Sequence, residues 1–232
     1  MKPHVLILDG AIYTAVYRPT GDWRRLLGDV AFDSIHLPSE ATLPAIDRYT
    51  HILITGSEAS IVRPAPWFEV EALAIRQAVD LGKPILASCF GHQMLIRTLA
   101  GTEWVGPSPT PELGWIEVEI VAQDELLDGL PNPFHTFAAH FDEVRPNLPP
   151  PWRILATNER CRVQAIRYGD CPIWGIQPHP EIRPEEARRL LKMARVGVPA
   201  KAHLARKALA QTPKDDGVAA EIVRRFLTLK PA

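Results

Sequence analysis

The sequence predicts an α/β protein: a flavodoxin-like three-layer sandwich with a mainly parallel central sheet and a nucleophile elbow. Two observations carry that expectation. Short apolar runs alternate with amphipathic helical segments through the first hundred residues, which argues for a parallel sheet covered on both faces. The run at 84–88 then ends in Cys89 at the head of a helix, which is how an α/β fold displays a nucleophile.

The elements follow in order. Residues 5–8 (Val-Leu-Ile-Leu) form a buried-type strand closed by Asp9 and Gly10, and residues 34–37 form a weaker one. Residues 51–55 form a strong strand closed by Gly56 and Ser57. Pro66 and Trp67 open a helix that runs to about Leu81, with Val70, Leu73, Ala74 and Ala78 at helical spacing and Gly82 at its end. Strand 84–88 and helix 90–100, closed by Gly101, complete the first half. Residues 114–120 alternate like a half-exposed strand, and 134–139, 154–157 and 163–168 are further short strands. The apolar strand 173–177 runs into Pro178, His179, Pro180 and Glu181. From about 184 to 232 the chain is expected to be helical, its last helix carrying Val218, Ile222, Val223, Phe226 and Leu227 on one face. No repeat or linker divides the sequence, so residues 1–232 are expected to form a single domain.

Composition narrows the function classes. A net charge of −1 gives no electrostatic case for nucleic acid or an anionic membrane surface. No apolar run has membrane-spanning length, and strand 5–8 begins too early for a signal peptide. The three cysteines, Cys89, Cys161 and Cys171, are odd in number and lack zinc-type pairing, so a reduced, cytoplasmic setting is expected. Between Arg183 and Lys207 eight basic residues face two glutamates, which reads as a solvated helix face.

At Cys89 the free N–H groups and positive end of a helix favour thiolate over thiol. A cysteine nucleophile also needs a base, and the base an orienting group. His179 follows the last strong strand, so a parallel sheet would bring it to the same edge as Cys89. Glu181 is two residues on, close enough to fix the imidazole tautomer. For an oxyanion hole, the elbow supplies the Phe90 N–H and the loop after strand 51–55 supplies Gly56 or Ser57.

Cys-Phe-Gly-His-Gln after Pro-Ile-Leu, with a later His-Pro-Glu, resembles the class I (triad-type) glutamine amidotransferases. Within that family it is most similar to stand-alone relatives of the GMP synthase amidotransferase domain. Ile54-Thr55-Gly56-Ser57, Glu112-Leu113-Gly114-Trp115 and His140-Phe141-Asp142-Glu143-Val144 extend the likeness, which spans about 52–181. The resemblance implies that Cys89 attacks the glutamine carboxamide, His179 transfers protons and Glu181 orients His179. It implies an oxyanion hole from the Gly56 and Phe90 backbone, and glutamine contacts from Gln93, Ala139 and His140. It implies no cofactor and no metal, with ammonia passing to a separate synthase. Two departures stand out: Ala87 replaces a common glycine and is expected to tighten the elbow, and Ala139 replaces a frequent serine. Two other functions fit the same residues: a γ-glutamyl peptidase or hydrolase, since Ala139 leaves space for a larger leaving group, and a non-catalytic regulatory or binding protein on this scaffold.

Overall fold

The structure, a computed structural model, describes residues 2–40, 42–197 and 201–229. In chain order its elements are β1 (His4–Asp9), α1 (Pro19–Leu27), β2 (Ala31–His36), β3 (His51–Ile54), α2 (Pro66–Asp80), β4 (Ile85–Ser88) and α3 (Phe90–Leu99). There follow β5 (Val105–Ile120), β6 (Phe134–Val144), β7 (Trp152–Thr157), β8 (Ala165–Tyr168), β9 (Ile173–Ile176), α4 (Pro184–Gly197), α5 (Ala202–Leu209) and α6 (Val218–Thr228).

The nine strands form one sheet in the order β2-β1-β3-β4-β9-β8-β7-β5-β6. Its first five strands are parallel, and this is the half that carries the predicted elbow. From β9 onward neighbours pair antiparallel, so the sheet is parallel where helices cross over it and antiparallel where links are short.

Burial on both faces explains the near-continuous apolar runs of β1, β3 and β4. On one face Leu6, Leu8, Ile52, Ile54, Ile85 and Ala87 pack under α2 and α3 through Ala74, Ile75, Phe90 and Met94. On the other, Val5, Ile7, Leu53 and Leu86 pack under α1 and α6 through Trp23, Leu27, Ile222 and Phe226. These are the three layers expected.

Some expectations change. Helix α1 falls in a stretch where the sequence pattern gives no helix. Strand β5 is longer than predicted because Pro107, Pro109 and Pro111 mask its first half, and its pairing with β6 shifts register between Pro107 and Glu112. The C-terminal region is three helices, with a non-helical link at 210–217. Residues 198–200 and 230–232 of the predicted helical segment lie outside the described residues.

Glu71 on α2 is out of place in this core. Its side chain is buried, and neither carboxyl oxygen has a hydrogen-bond partner among the described residues. Burial raises its pKa well above the ordinary value of 4.5, so it is held protonated. The folded state therefore keeps a proton that the unfolded chain releases above about pH 4.5, and stability falls as pH rises from there toward the folded pKa. Glu71→Met is expected to stabilise the protein by about 1–3 kcal/mol, with a larger gain at pH 8 than at pH 5. Denaturant titrations at the two pH values check this.

Candidate active site

Strand β4 ends at Ser88 and α3 begins at Phe90, leaving Cys89 alone at the turn with φ 47° and ψ −104°. That is the left-handed side of backbone space, which a side chain enters only under strain. The turn is pinned on several sides. The Cys89 N–H donates to the Ile176 carbonyl at 2.8 Å, the Gln93 N–H to the Cys89 carbonyl at 3.1 Å, and the Gly91 N–H to the Thr55 carbonyl at 3.2 Å. Gly91 has to be glycine, because a methyl group there would lie 2.7 Å from Ile54 Cγ2 and 2.9 Å from the Ile54 carbonyl oxygen. The expected tightening at Ala87 is absorbed: its methyl packs in the core beneath α2 and α3, and its neighbour across the sheet is Gly175.

His179 reaches the same edge from the end of β9, and its own N–H donates to the Phe137 carbonyl at 2.8 Å. Its Nδ1 lies 2.8 Å from Glu181 Oε1, with the carboxylate fully buried. That bond turns Nε2 away from Glu181, and the imidazole and the Cys89 side chain both lie against the Gly56 backbone. Burial pushes the His179 pKa down, but the negative charges of Cys89 and Glu181 outweigh it and hold the ring well above its ordinary value. The structure thus brings Cys89, His179 and Glu181 together, as the sequence predicts.

Gly56 closes the other side. A methyl group on it would sit 2.5 Å from His179 Cε1, 2.9 Å from the Tyr17 hydroxyl and 3.4 Å from Cys89 Cβ. The backbone therefore runs directly against the cysteine and histidine, an approach open only to glycine. Neither the Gly56 nor the Phe90 N–H donates to a protein acceptor among the described residues.

The remaining predicted residues divide. Gln93 lines the cleft, its amide fixed by donation from Nε2 to the Asp142 carbonyl at 2.8 Å and to Gln177 Oε1 at 3.2 Å. Ala139 lines it too, and its carbonyl lies 3.9 Å from Cys89 Sγ. His140 lies along the cleft as well, with its imidazole buried and engaged with Glu112 Oε2 at 2.9 Å and the Asp142 carbonyl at 3.1 Å. Gln164 and Asn158 also donate to Glu112, at 2.7 and 2.8 Å. The His140 ring is therefore held in place at the edge of the cleft by Glu112 and the Asp142 carbonyl. The Cys161 thiol lies close to Glu112 and His140. Burial raises its pKa strongly, and the other two groups are satisfied by each other and by the amides. Glu112 and His140 here form a hydrogen-bonded brace.

Two contributors have no sequence signal. The Tyr17 hydroxyl donates to Glu181 Oε1 at 3.3 Å and lies 3.4 Å from His179 Nδ1, its ring edge-on to the imidazole. Burial, then the charges of Glu181 and Cys89, raise the Tyr17 pKa well above its ordinary value, so it stays a donor. From α1, Arg25 Nη2 donates to the Glu181 carbonyl at 2.7 Å.

Above Cys89 lies a cleft of about 620 Å³. One wall is apolar and continuous with His179: Val16, Tyr17, Ile182, Leu190, Met193 and Ala194. Part of the basic face predicted at 183–207 is spent holding this wall: Arg188 donates to the Leu209 and Gln211 carbonyls, and Arg189 to that of Val16. Among the described residues, no helix is long and apolar enough to cross a membrane.

The protein is thus a largely parallel α/β sheet that carries a strained cysteine elbow and, at the same edge, a hydrogen-bonded histidine–glutamate pair. The glutamine amidotransferase class-I family model matches residues 24–195, and the chain belongs to that family. One relative, from Methanothermobacter thermautotrophicus, is named as a subunit of a glutamine-hydrolyzing GMP synthase. It is 32% identical over 148 residues, covering 64% of this chain and 77% of that protein. The corresponding Pyrococcus abyssi protein is 38% identical over 103 residues, covering 44% of this chain, which spans about half (53%) of that relative's length. A solved glutamine amidotransferase from Thermotoga maritima shares the fold with a TM-score of 0.81 at 20% identity, covering 99% of this chain and all of that one. One from Methylobacillus flagellatus does so with a TM-score of 0.71 at 21% identity, covering 97% and 95%.

Proposed function

We propose that this protein hydrolyses the side-chain amide of glutamine through a thioester on Cys89. The supporting observation is the Cys89–His179–Glu181 constellation, with His179 Nδ1 held at 2.8 Å from Glu181, beside the unengaged N–H groups of Gly56 and Phe90. The Cys89 sulfur adds to the amide carbon, and the two N–H groups take the oxyanion. His179 gives its proton to the nitrogen, the C–N bond breaks and ammonia leaves. His179 then takes a proton from water, whose oxygen attacks the thioester carbon, and glutamate departs as the sulfur is released. Both GMP synthase relatives are named as one subunit of their enzyme. On that basis the ammonia is handed to a synthase on a separate chain. Glutamate release with and without candidate acceptor enzymes tests this, and no turnover under any of them overturns it.

A second reading is favoured by the apolar wall beside His179, since the leaving group departs toward the proton donor. A γ-glutamyl amide with a bulky apolar amine would use that wall, whereas ammonia would not. Rates on γ-glutamyl peptides against glutamine separate the two.

Gly56→Ala tests the packing of the site. Its methyl collides with the His179 ring, and a displacement of that order is expected to lower kcat roughly 100-fold. Steady-state kinetics on the folded variant check it.

A further inference from the structure

A buried cluster beside the cleft takes no part in the chemistry proposed for Cys89. It joins Glu112 on β5, His140 on β6, and Cys161 and Gln164 from the link between β7 and β8. One ligating atom each of Glu112, His140 and Cys161 lies within 4.8 Å of the other two. The His140 Nδ1 faces the Asp142 carbonyl at 3.1 Å, and a carbonyl only accepts, so Nδ1 carries a hydrogen. A neutral ring then turns the Nε2 lone pair toward Glu112 Oε2, 2.9 Å away. Glu112 accepts on both oxygens, from Asn158 on Oε1 and from Gln164 on Oε2. Two acceptors that close need a positive centre between them: a second ring hydrogen, which makes the brace, or a metal ion.

The surroundings suit an ion. Gln164 is buried, and its Oε1 has no hydrogen-bond partner among the described residues. Its Nε2 stands 2.7 Å from Glu112 Oε2, so half a turn of the terminal amide brings the idle oxygen to the same point as a fourth donor. The ligands are already held from behind. The Asp142 carbonyl holds His140 Nδ1, Asn158 Nδ2 holds Glu112 Oε1 at 2.8 Å, and Asn158 Oδ1 takes the Cys161 N–H at 2.7 Å. Outer partners of this kind orient the ring and the carboxylate at metal sites. One carboxylate and one thiolate neutralise a divalent cation, as burial requires. Donors around a tetrahedral zinc lie roughly 3.3–3.8 Å apart. The 2.9 Å between Glu112 and His140 and the 4.8 Å bound on the cluster bracket that spacing. Glu159 and Arg160, just before Cys161, are exposed, so the link that covers the cluster offers a path in.

We propose that Glu112, His140, Cys161 and Gln164 form a structural site for a borderline-soft divalent cation, zinc first among them. The mixed nitrogen, sulfur and oxygen donors disfavour magnesium and calcium, which take oxygen ligands. As the ion enters, two protons leave to solvent, one from His140 Nε2 and one from the Cys161 thiol. The Asp142 carbonyl that holds His140 also receives Gln93 Nε2 at 2.8 Å, so the ion stiffens the cleft wall. The site is independent of what Cys89 attacks.

The test uses cobalt as a spectroscopic probe in the Cys89→Ala/Cys171→Ser chain, where Cys161 is the sole thiol. One cobalt per chain is expected, with a thiolate-to-metal charge-transfer band that added zinc abolishes by displacement. Adding Cys161→Ser should remove the band. Adding Glu112→Gln should instead weaken cobalt binding on the order of 100-fold or more. Circular dichroism of the metal-free variants shows that each is folded, and either one alone suffices if the other is not. Zinc at about 100 times its dissociation constant should lower the unfolding equilibrium constant about 100-fold. Absence of the band, a cobalt affinity that Glu112→Gln leaves unchanged, or a melting temperature that zinc fails to raise overturns the proposal. The first of these would mean that a ring hydrogen alone fills the gap between Glu112 and His140.

Discussion

Cys89→Ala is expected to lower kcat for glutamine by about 10⁴-fold or more and to leave the melting temperature close to that of the parent. The size follows from chemistry: without the sulfur no thioester forms, and only binding and the oxyanion donors remain. The unchanged stability follows from the backbone. Alanine keeps a Cβ at φ 47°, so the strain at the elbow is the same in both proteins. Cys89→Gly separates the two effects. It is expected to be as inactive, yet more stable by about 1 kcal/mol, because glycine enters that region without penalty. Kinetics and denaturant melts on the two variants check the pair of outcomes. A Cys89→Gly protein less stable than Cys89→Ala would show that the turn is not strained in solution.

Glu181→Gln is expected to lower kcat about 100–1000-fold and to shift the pH profile. Two opposing effects set the His179 pKa. Burial lowers it, while the charges of Cys89 and Glu181 raise it and prevail. Neutralising residue 181 removes one raising charge and leaves the burial, so the imidazolium loses its proton at a lower pH. The alkaline limb of kcat/KM should therefore move to lower pH. Stability should carry the same sign. A His179 pKa raised above the unfolded value of about 6.5 stabilises the fold fully below that pH, and the contribution fades as pH rises through the folded pKa. The stability difference between parent and Glu181→Gln should accordingly be largest in the acid range. A profile that keeps its alkaline limb in place would mean that Glu181 does not set the charge on His179.

The parts legible in the sequence share a property: their signal is local. The strands of the parallel half are buried on both faces, so each is a short apolar run. The elbow announces itself as strand, cysteine and glycine-bearing helix start, and His179 and Glu181 sit two residues apart after the last such strand. The parts that are not legible depend on distant partners. Helix α1 holds only a few apolar contacts, chiefly Trp23 and Leu27, among charged residues, and so carries little periodicity. Tyr17 belongs to a loop and acquires its role only because Glu181, 164 positions later, folds against it. The His140 ring is held by Glu112 on a neighbouring strand 28 positions earlier, a pairing that no spacing rule exposes. The part of the cleft wall given by Leu190, Met193 and Ala194 arises in the same way, from a C-terminal helix that packs back over the cleft.

The central claim is that Cys89 is a nucleophile aimed at a γ-glutamyl carbonyl. The most direct measurement uses a glutamine analogue whose side-chain amide is replaced by an alkylating ketone, with peptide mapping by mass spectrometry. The protein supplies its own controls, since Cys161 is buried and Cys171 is exposed. One label per chain is expected, on Cys89 alone, prevented by excess glutamine. Labelling that favours the exposed Cys171, or labelling of Cys89 that glutamine does not slow, would contradict it.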